Sequence, residues 1–252
     1  MKLCINADDF GMSEDINAGI LDCMDYGVVS SCSAMVTESA ASQVHLLKNH
    51  ESVSVGLHFT LTGTQTPLFL NKMSPLQLMF QDVLGKFSEE ELSTEASRQF
   101  SLLHSQLGRS LSHIDSHQHI HLLPKVRRVM RHLARNNGIS YVRSPRENSP
   151  DISLKQLCLR LAFAFDNPKV DFFGINLMGK KFTQENIVRH IEYLKKCGTE
   201  EALWMVHVGY ETKSGLGSDT YNAERQHELK VLKDLRPYLR DQVHIVSLEA
   251  LL

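Results

Sequence analysis

The chain has 252 residues, enough for one well-buried core, and a (β/α) barrel typically takes about 250. Lys and Arg number 27 against 29 Asp and Glu, a formal net charge of −2, so neither a nucleic-acid groove nor an anionic membrane surface is expected as the main partner. No apolar run approaches the ~20 residues of a membrane span.

Strands are predicted over residues 2–7, 29–37, 52–61, 111–117, 140–143, 170–177, 202–208 and 243–248. Most are short runs rich in Val, Ile, Leu and Phe, the pattern of strands covered on both faces. Helices are predicted between them, over residues 14–26, 39–49, 89–107, 125–136, 154–165, 184–196 and 223–239. Ser13 before Glu14 and Asp15 is a good helix start, and Pro124 and Gly138 bracket another helix as start and stop. Alternating strands and helices imply a parallel sheet, and about eight units suggest closure into a distorted (β/α) barrel, with residues 1–252 one domain. Residues 63–87 lack regular patterning and read as an active-site loop or a partly helical insertion. The five cysteines (Cys4, Cys23, Cys32, Cys158, Cys197) are scattered with no CxxC pair, and two acids at Asp8 and Asp9 come too early for a signal peptide. A cytoplasmic protein is therefore expected.

The segment Ser112-His113-Ile114-Asp115-Ser116-His117-Gln118-His119-Ile120-His121 places four histidines and an aspartate on alternate positions. Alternate residues share one face of a strand. A hydrophobic core has no use for such a row, whereas a divalent metal binds imidazole nitrogen and carboxylate oxygen. A strand of typical length, about 5–6 residues, cannot hold the whole row. His119 and His121 are therefore expected in the exit loop, against substrate or covering the site. His113 and Asp115 are expected deeper, with Asp115 orienting a ligand imidazole. In a β/α barrel the working residues stand at the C-terminal strand ends. Asp8 and Asp9, His58 and His207 fall at such ends, although a solvated turn or a hydrogen-bonded structural histidine would explain each one alone. Arg143 could orient a carboxylate, bind substrate or make a surface ion pair. Trp204 reads as core, and Tyr210 and Tyr221 as candidates for stacking on a sugar.

Taken in order, Asn6-Ala7-Asp8-Asp9-Phe10-Gly11, Gly56-Leu57-His58, the row from His113 to His121, and Met205-Val206-His207 resemble the YdjC-like carbohydrate deacetylases. That family includes chitooligosaccharide deacetylases and hopanoid-associated deacetylases, and the resemblance spans essentially the whole chain. It implies a distorted barrel of the glycoside hydrolase/deacetylase type. It further implies Asp9, His58 and His117 as metal ligands, Asp8 as general base and His207 as general acid, with Asp115, His119, His121 and Arg143 in supporting or substrate-binding positions. Magnesium is the expected ion and zinc the alternative. The substrate would be an N-acetylated amino sugar or short oligosaccharide. Gln118 and Val208 depart from the family pattern and bear on the choice of sugar.

Two other readings fit parts of the sequence. His117-Gln118-His119 invites an amidohydrolase or phosphoesterase, although those carry the His-x-His pair on a first strand rather than about the fourth. A non-catalytic carbohydrate-binding relative would keep the barrel without turnover. Oligomeric state is open, a homodimer included.

Overall fold

A computed structural model describes residues 1–151, 170–212 and 221–252, together with Leu157, Leu159 and Phe163. Eight strands form one sheet: β1 (Lys2–Phe10), β2 (Ser31–Ala34), β3 (Ser54–Phe59), β4 (His113–Ser116), β5 (Tyr141–Val142), β6 (Asp171–Phe173), β7 (Glu201–Val206) and β8 (His244–Ile245). Their order is β5-β4-β3-β2-β1-β7-β6, and every pairing is parallel. β7 runs along one edge of β1, while β8 and β2 share the other, β8 beside Lys2 and Leu3 and β2 further along. The ends of the path meet through a single parallel bridge, Glu147 to Phe172. The result is the distorted barrel that the alternation of elements predicts.

The helices are α1 (Glu14–Asp25), α2 (Pro75–Val83), α3 (Glu89–Leu107), α4 (Pro124–Asn136), α5 (Gln184–Lys196), α6 (Asn222–Asp234) and α7 (Arg236–Gln242). Ser13 caps α1 by accepting the Ile16 N–H, and Ser88 and Glu91 form a reciprocal capping box on α3. Two predicted helices differ in detail. Residues 41–49 wind as 3₁₀ turns, with no side-chain cap at Ala40. The long helix expected over 223–239 breaks between α6 and α7, because Pro237 lacks the N–H that continuation requires. The 63–87 segment contains α2, opened by a Ser74–Gln77 capping box with Pro75 in the first turn. Only Leu78 of α2 is buried. The helix expected over 154–165 falls largely outside the described residues. No described helix is long and apolar enough to cross a membrane.

The core follows the alternation of β1. Leu3, Ile5 and Ala7 pack beneath the helices, with Phe10, Ile16, Ile20 and Trp204 in the same cluster. At its C-terminal end β1 turns sharply. Asp9 is left-handed at φ 71°, Gly11 follows at φ 97°, and the Met12 N–H closes on the Asp9 carbonyl at 3.1 Å. A β-carbon on Gly11 would stand 2.4 Å from the Met35 carbonyl oxygen, so glycine is required by both conformation and space. Its N–H is also held by Asn17 Oδ1 at 2.6 Å. Gly11→Ala is expected to cost at least the ~1–3 kcal/mol of a strained backbone position, measured by urea unfolding.

Candidate metal and catalytic site

The irregular C-terminal end of β1 sends two neighbouring carboxylates into one cleft. In regular alternation Asp8 and Asp9 would face opposite sides of the sheet. The break in register between Ala7 and Phe10, with Asp9 left-handed, removes that constraint.

Sheet register assembles the rest. His58 of β3 pairs directly with Asp115 of β4, and their side chains meet, His58 Nδ1 lying 2.6 Å from Asp115 Oδ1. The next strand brings Arg143, just past β5, whose N–H bonds the Ile114 carbonyl. Its guanidinium spans the Asp8 carboxylate with bonds of 2.6 and 2.7 Å and also reaches Asp115 Oδ2. Ser33 of β2 donates to Asp115 Oδ2 at 2.6 Å, and Asn6 Nδ2 donates to Asp8 Oδ1 at 2.7 Å. His113 lies beneath, between Ser33 Oγ and Ser112 Oγ. Its ring fills the space above Gly56, where a β-carbon would come within 2.4 Å of it.

Asp9 is the hub of the upper layer. Its Oδ1 lies 3.2 Å from His58 Nε2 and 2.9 Å from His117 Nδ1, and its Oδ2 accepts from Arg225 of α6 at 2.7 Å. His117 follows β4 in a 3₁₀ turn in which Gln118 and His119 are both left-handed, at φ 52° and 54°. These residues open onto a cleft of about 330 Å³ walled by Asp8, Asp9, His58, His117, His119 and His207, with Glu38, Tyr221 and Arg225 at its margins.

Charge governs the chemistry of this layer. Burial alone would raise the Asp9 carboxyl, but Arg225 and His117 outweigh it and hold the group well below the usual carboxylate range. Burial likewise opposes ionisation of Asp115, yet Arg143 and His58 keep it far below its ordinary value. Desolvation works against a charged His58, while the Asp115 and Asp8 carboxylates push it up to about 10. His113 and His121 go the other way, driven by burial down to about 4 and about 3, so both rings are neutral.

Asp9, His58 and His117 offer three donor atoms within 4.8 Å of one another. Two ligands at right angles around an ion with bonds of 2.0–2.1 Å stand about 3.0 Å apart. A tetrahedral ion with similar bonds needs about 3.4 Å. The observed separations of 2.9 and 3.2 Å fall across the range of the two. The charges fit a cation as well, since the Asp115 and Asp8 carboxylates already favour positive charge on His58, and a bound cation would take the place of that proton.

The structure thus brings Asp8, Asp9, His58 and His117 together, with His119 and His207 on the same cleft. Asp115 and Arg143 stand behind them, buried, so Arg143 is no surface pair. His121 does not reach the cleft. Its Nδ1 bonds the Ser116 hydroxyl and its ring packs against Phe163, bracing the turn that carries His117 and His119. Trp204 is core, Tyr221 reaches the cleft, and Tyr210 turns away to Asp22. Sequence reasoning missed Glu38, whose half-buried carboxyl is raised by burial, and Arg225 and Glu228 of α6. The two α6 residues left a signal, since they occupy positions where an amphipathic helix places apolar side chains.

The family model described as YdjC-like protein matches residues 2–239. The chain belongs to the YdjC-like family. This YdjC-like chain is 32% identical to a carbohydrate deacetylase of Brevibacillus brevis, over 96% of each chain. It is 29% identical to a chitooligosaccharide deacetylase of Serratia marcescens, over 91% of this chain and 90% of that one. Among solved structures, an Enterococcus faecalis protein named for cellobiose-phosphate cleavage superposes with a TM-score of 0.73 at 21% identity, covering 99% of this chain and 98% of that one. A peptidoglycan N-acetylglucosamine deacetylase gives 0.54 at 13% identity, covering 99% and 87%. Both are likenesses of fold, and they agree with the barrel traced above.

The neutral His113 has a consequence for stability. An unfolded chain takes up a proton on this residue below about pH 6.5, whereas the buried ring refuses it until about pH 4. The unfolded state therefore binds more protons in that window, and stability falls as pH drops through it, with a limiting slope of ~1.4 kcal/mol per pH unit for one such group. Urea unfolding between about pH 7 and pH 5 should show a shallower dependence in His113→Gln than in the parent chain.

Proposed function

We propose that the chain is a metal-dependent deacetylase that removes the acetyl group from an N-acetylated amino sugar or short oligosaccharide. The observation that carries this reading is the Asp9–His58–His117 donor set at the floor of an open cleft, with the Arg143-held Asp8 carboxylate beside it. The relatives named as carbohydrate and chitooligosaccharide deacetylases support the substrate class.

Asp9, His58 and His117 would hold the ion, which when bound supplies Lewis-acid activation of water and of the amide carbonyl. One carboxylate and two imidazoles suit magnesium, with zinc the alternative. Asp115 holds the His58 ring through Nδ1, leaving Nε2 aimed at the cleft. Asp8 acts as general base, taking the proton of the attacking water as its oxygen bonds to the acetyl carbonyl carbon. Arg143 and Asn6 fix the Asp8 carboxylate in place for this step. His207 acts as general acid. It delivers a proton to the amide nitrogen as the C–N bond breaks, leaving acetate and a free amine. Its Nδ1 takes no hydrogen bond among the described residues. His119 and Tyr221, on the cleft walls, are placed to contact the sugar.

His117→Ala is expected to lose both bound metal, by elemental analysis after dialysis, and acetate release from N-acetylglucosamine oligomers. Full acetate release in that variant would overturn the ligand assignment. Asp8→Asn should keep its metal while turnover falls by roughly 10²–10⁴, the usual contribution of a positioned general base. Loss of metal there instead would place Asp8 among the ligands.

A further inference from the structure

Helix α6 has no step in the reaction set out above, yet it places charge where a helix ordinarily places core. Its buried positions are Arg225, Glu228, Leu229 and Leu232, the i, i+3, i+4, i+7 stripe of an amphipathic helix. Arg225 and Glu228 are 2% and 0% exposed. Buried charges are tolerated when paired and hydrogen-bonded, and both residues bond to the candidate machinery itself.

Arg225 Nη2 donates to Asp9 Oδ2 at 2.7 Å, while Asp9 Oδ1 faces the two imidazoles. Glu228 Oε2 accepts the backbone N–H of His207 at 2.7 Å. Its Oε1 takes the hydroxyl of Tyr221, whose ring meets the His207 ring edge-on at 5.5 Å between centroids. The loop leaving His207 is shaped to admit the arginine. A β-carbon on Gly209 would stand 3.4 Å from Arg225 Cδ and 3.2 Å from Ile16 Cα. A carboxylate on a left-handed backbone turn, such as Asp9, has no regular strand to fix its direction, so its second oxygen needs an anchor.

We propose that α6 is the positioning element of this site, Arg225 fixing the Asp9 carboxylate so that Oδ1 alone faces His58 and His117, and Glu228 fixing His207 over the cleft. The inference rests on the reading of Asp9 as a metal ligand and His207 as the general acid. Arg225 and Glu228 are positioning residues, three apart on one rigid helix, and so set the distance between the metal-holding acid and the proton donor.

The test is zinc titration of the full-length protein by calorimetry, together with steady-state acetate release. Arg225→Met should bind Zn²⁺ about 10–100-fold more weakly, the usual cost of removing a group that orients a ligand, and Arg225→Lys should fall between it and the parent. Glu228→Ala should bind Zn²⁺ as the parent does and lose kcat with KM unchanged. Glu228→Gln should recover kcat, because its amide oxygen still accepts the His207 N–H. Where Arg225→Met or Glu228→Ala does not fold, Arg225→Lys and Glu228→Asp carry the test, the latter keeping the charge but falling a methylene short of His207. Parent-like zinc affinity in the arginine variants, or a change confined to KM, would make Arg225 a substrate contact and overturn the proposal. Equal damage in Glu228→Gln and Glu228→Ala would overturn the Glu228 half. Asp9→Asn separates the two levels. If it binds zinc normally, the ligand reading itself fails. If it loses zinc while the arginine variants do not, only the positioning proposal fails.

Discussion

The site hangs on one buried guanidinium. Arg143 is 1% exposed and bonds to Asp8 and Asp115, so it ties the end of β5 to β1 and β4. Breaking such a group of buried charges by removing one member typically costs 3–5 kcal/mol, because the others are left uncompensated. The ties extend through Ser33 and Asn6 to β2 and back to β1, so the ends of four strands are fixed relative to one another by polar contacts. The three carboxylates are balanced by Arg143, Arg225 and the raised His58 imidazole, so a cation held by Asp9, His58 and His117 would take the place of the His58 proton in the layer nearest the cleft.

The histidine row divides its work because the strand carrying it ends after Ser116. His113 lies inside the barrel and is kept neutral by burial; its bulk is accommodated by Gly56 on the neighbouring strand. Asp115 sits one layer up and turns the His58 ring by its Nδ1. His117 is the first residue past the strand and reaches Asp9. Beyond it the left-handed pair Gln118 and His119 breaks the alternation, so His119 faces the cleft while His121 folds back onto Ser116. A continuous strand would have directed all four rings the same way.

Strand positions, barrel class and most helix starts were legible, because apolar runs, Ser and Pro caps and β/α alternation are local properties of the chain. The membership of the site was legible in part. His58, His117, Asp8, Asp9, Asp115 and Arg143 stand at predicted strand ends, and parallel register brings such ends together. What sequence could not show is which ring turns inward, since that depends on two left-handed residues with no glycine to mark them. His121 is the example. Nor could it separate a buried charge from a solvated one on α6, although Arg225 and Glu228 interrupt the stripe completed by Leu229 and Leu232. Charged residues at core positions of a helix are a readable sign of a braced polar site, and here the sign was overlooked.

The adjacency of Asp8 and Asp9 poses the sharpest structural question. Two neighbouring carboxylates serve different partners here, one held by Arg143 and the other by Arg225 with two imidazoles. A regular strand would put one of them into the helical layer. The chain avoids this by taking Asp9 through a left-handed conformation that a non-glycine residue adopts at a cost of about 1–3 kcal/mol. Such a cost persists only where the surroundings determine the conformation independently. They do so here from three directions: Gly11 packs its bare α-carbon against the Met35 carbonyl, Arg143 takes the first carboxylate, and Arg225 takes the second. The strain separates the roles of the two acids. Relaxing it into regular alternation would take from Arg143 its Asp8 carboxylate or from Arg225 its Asp9 carboxylate.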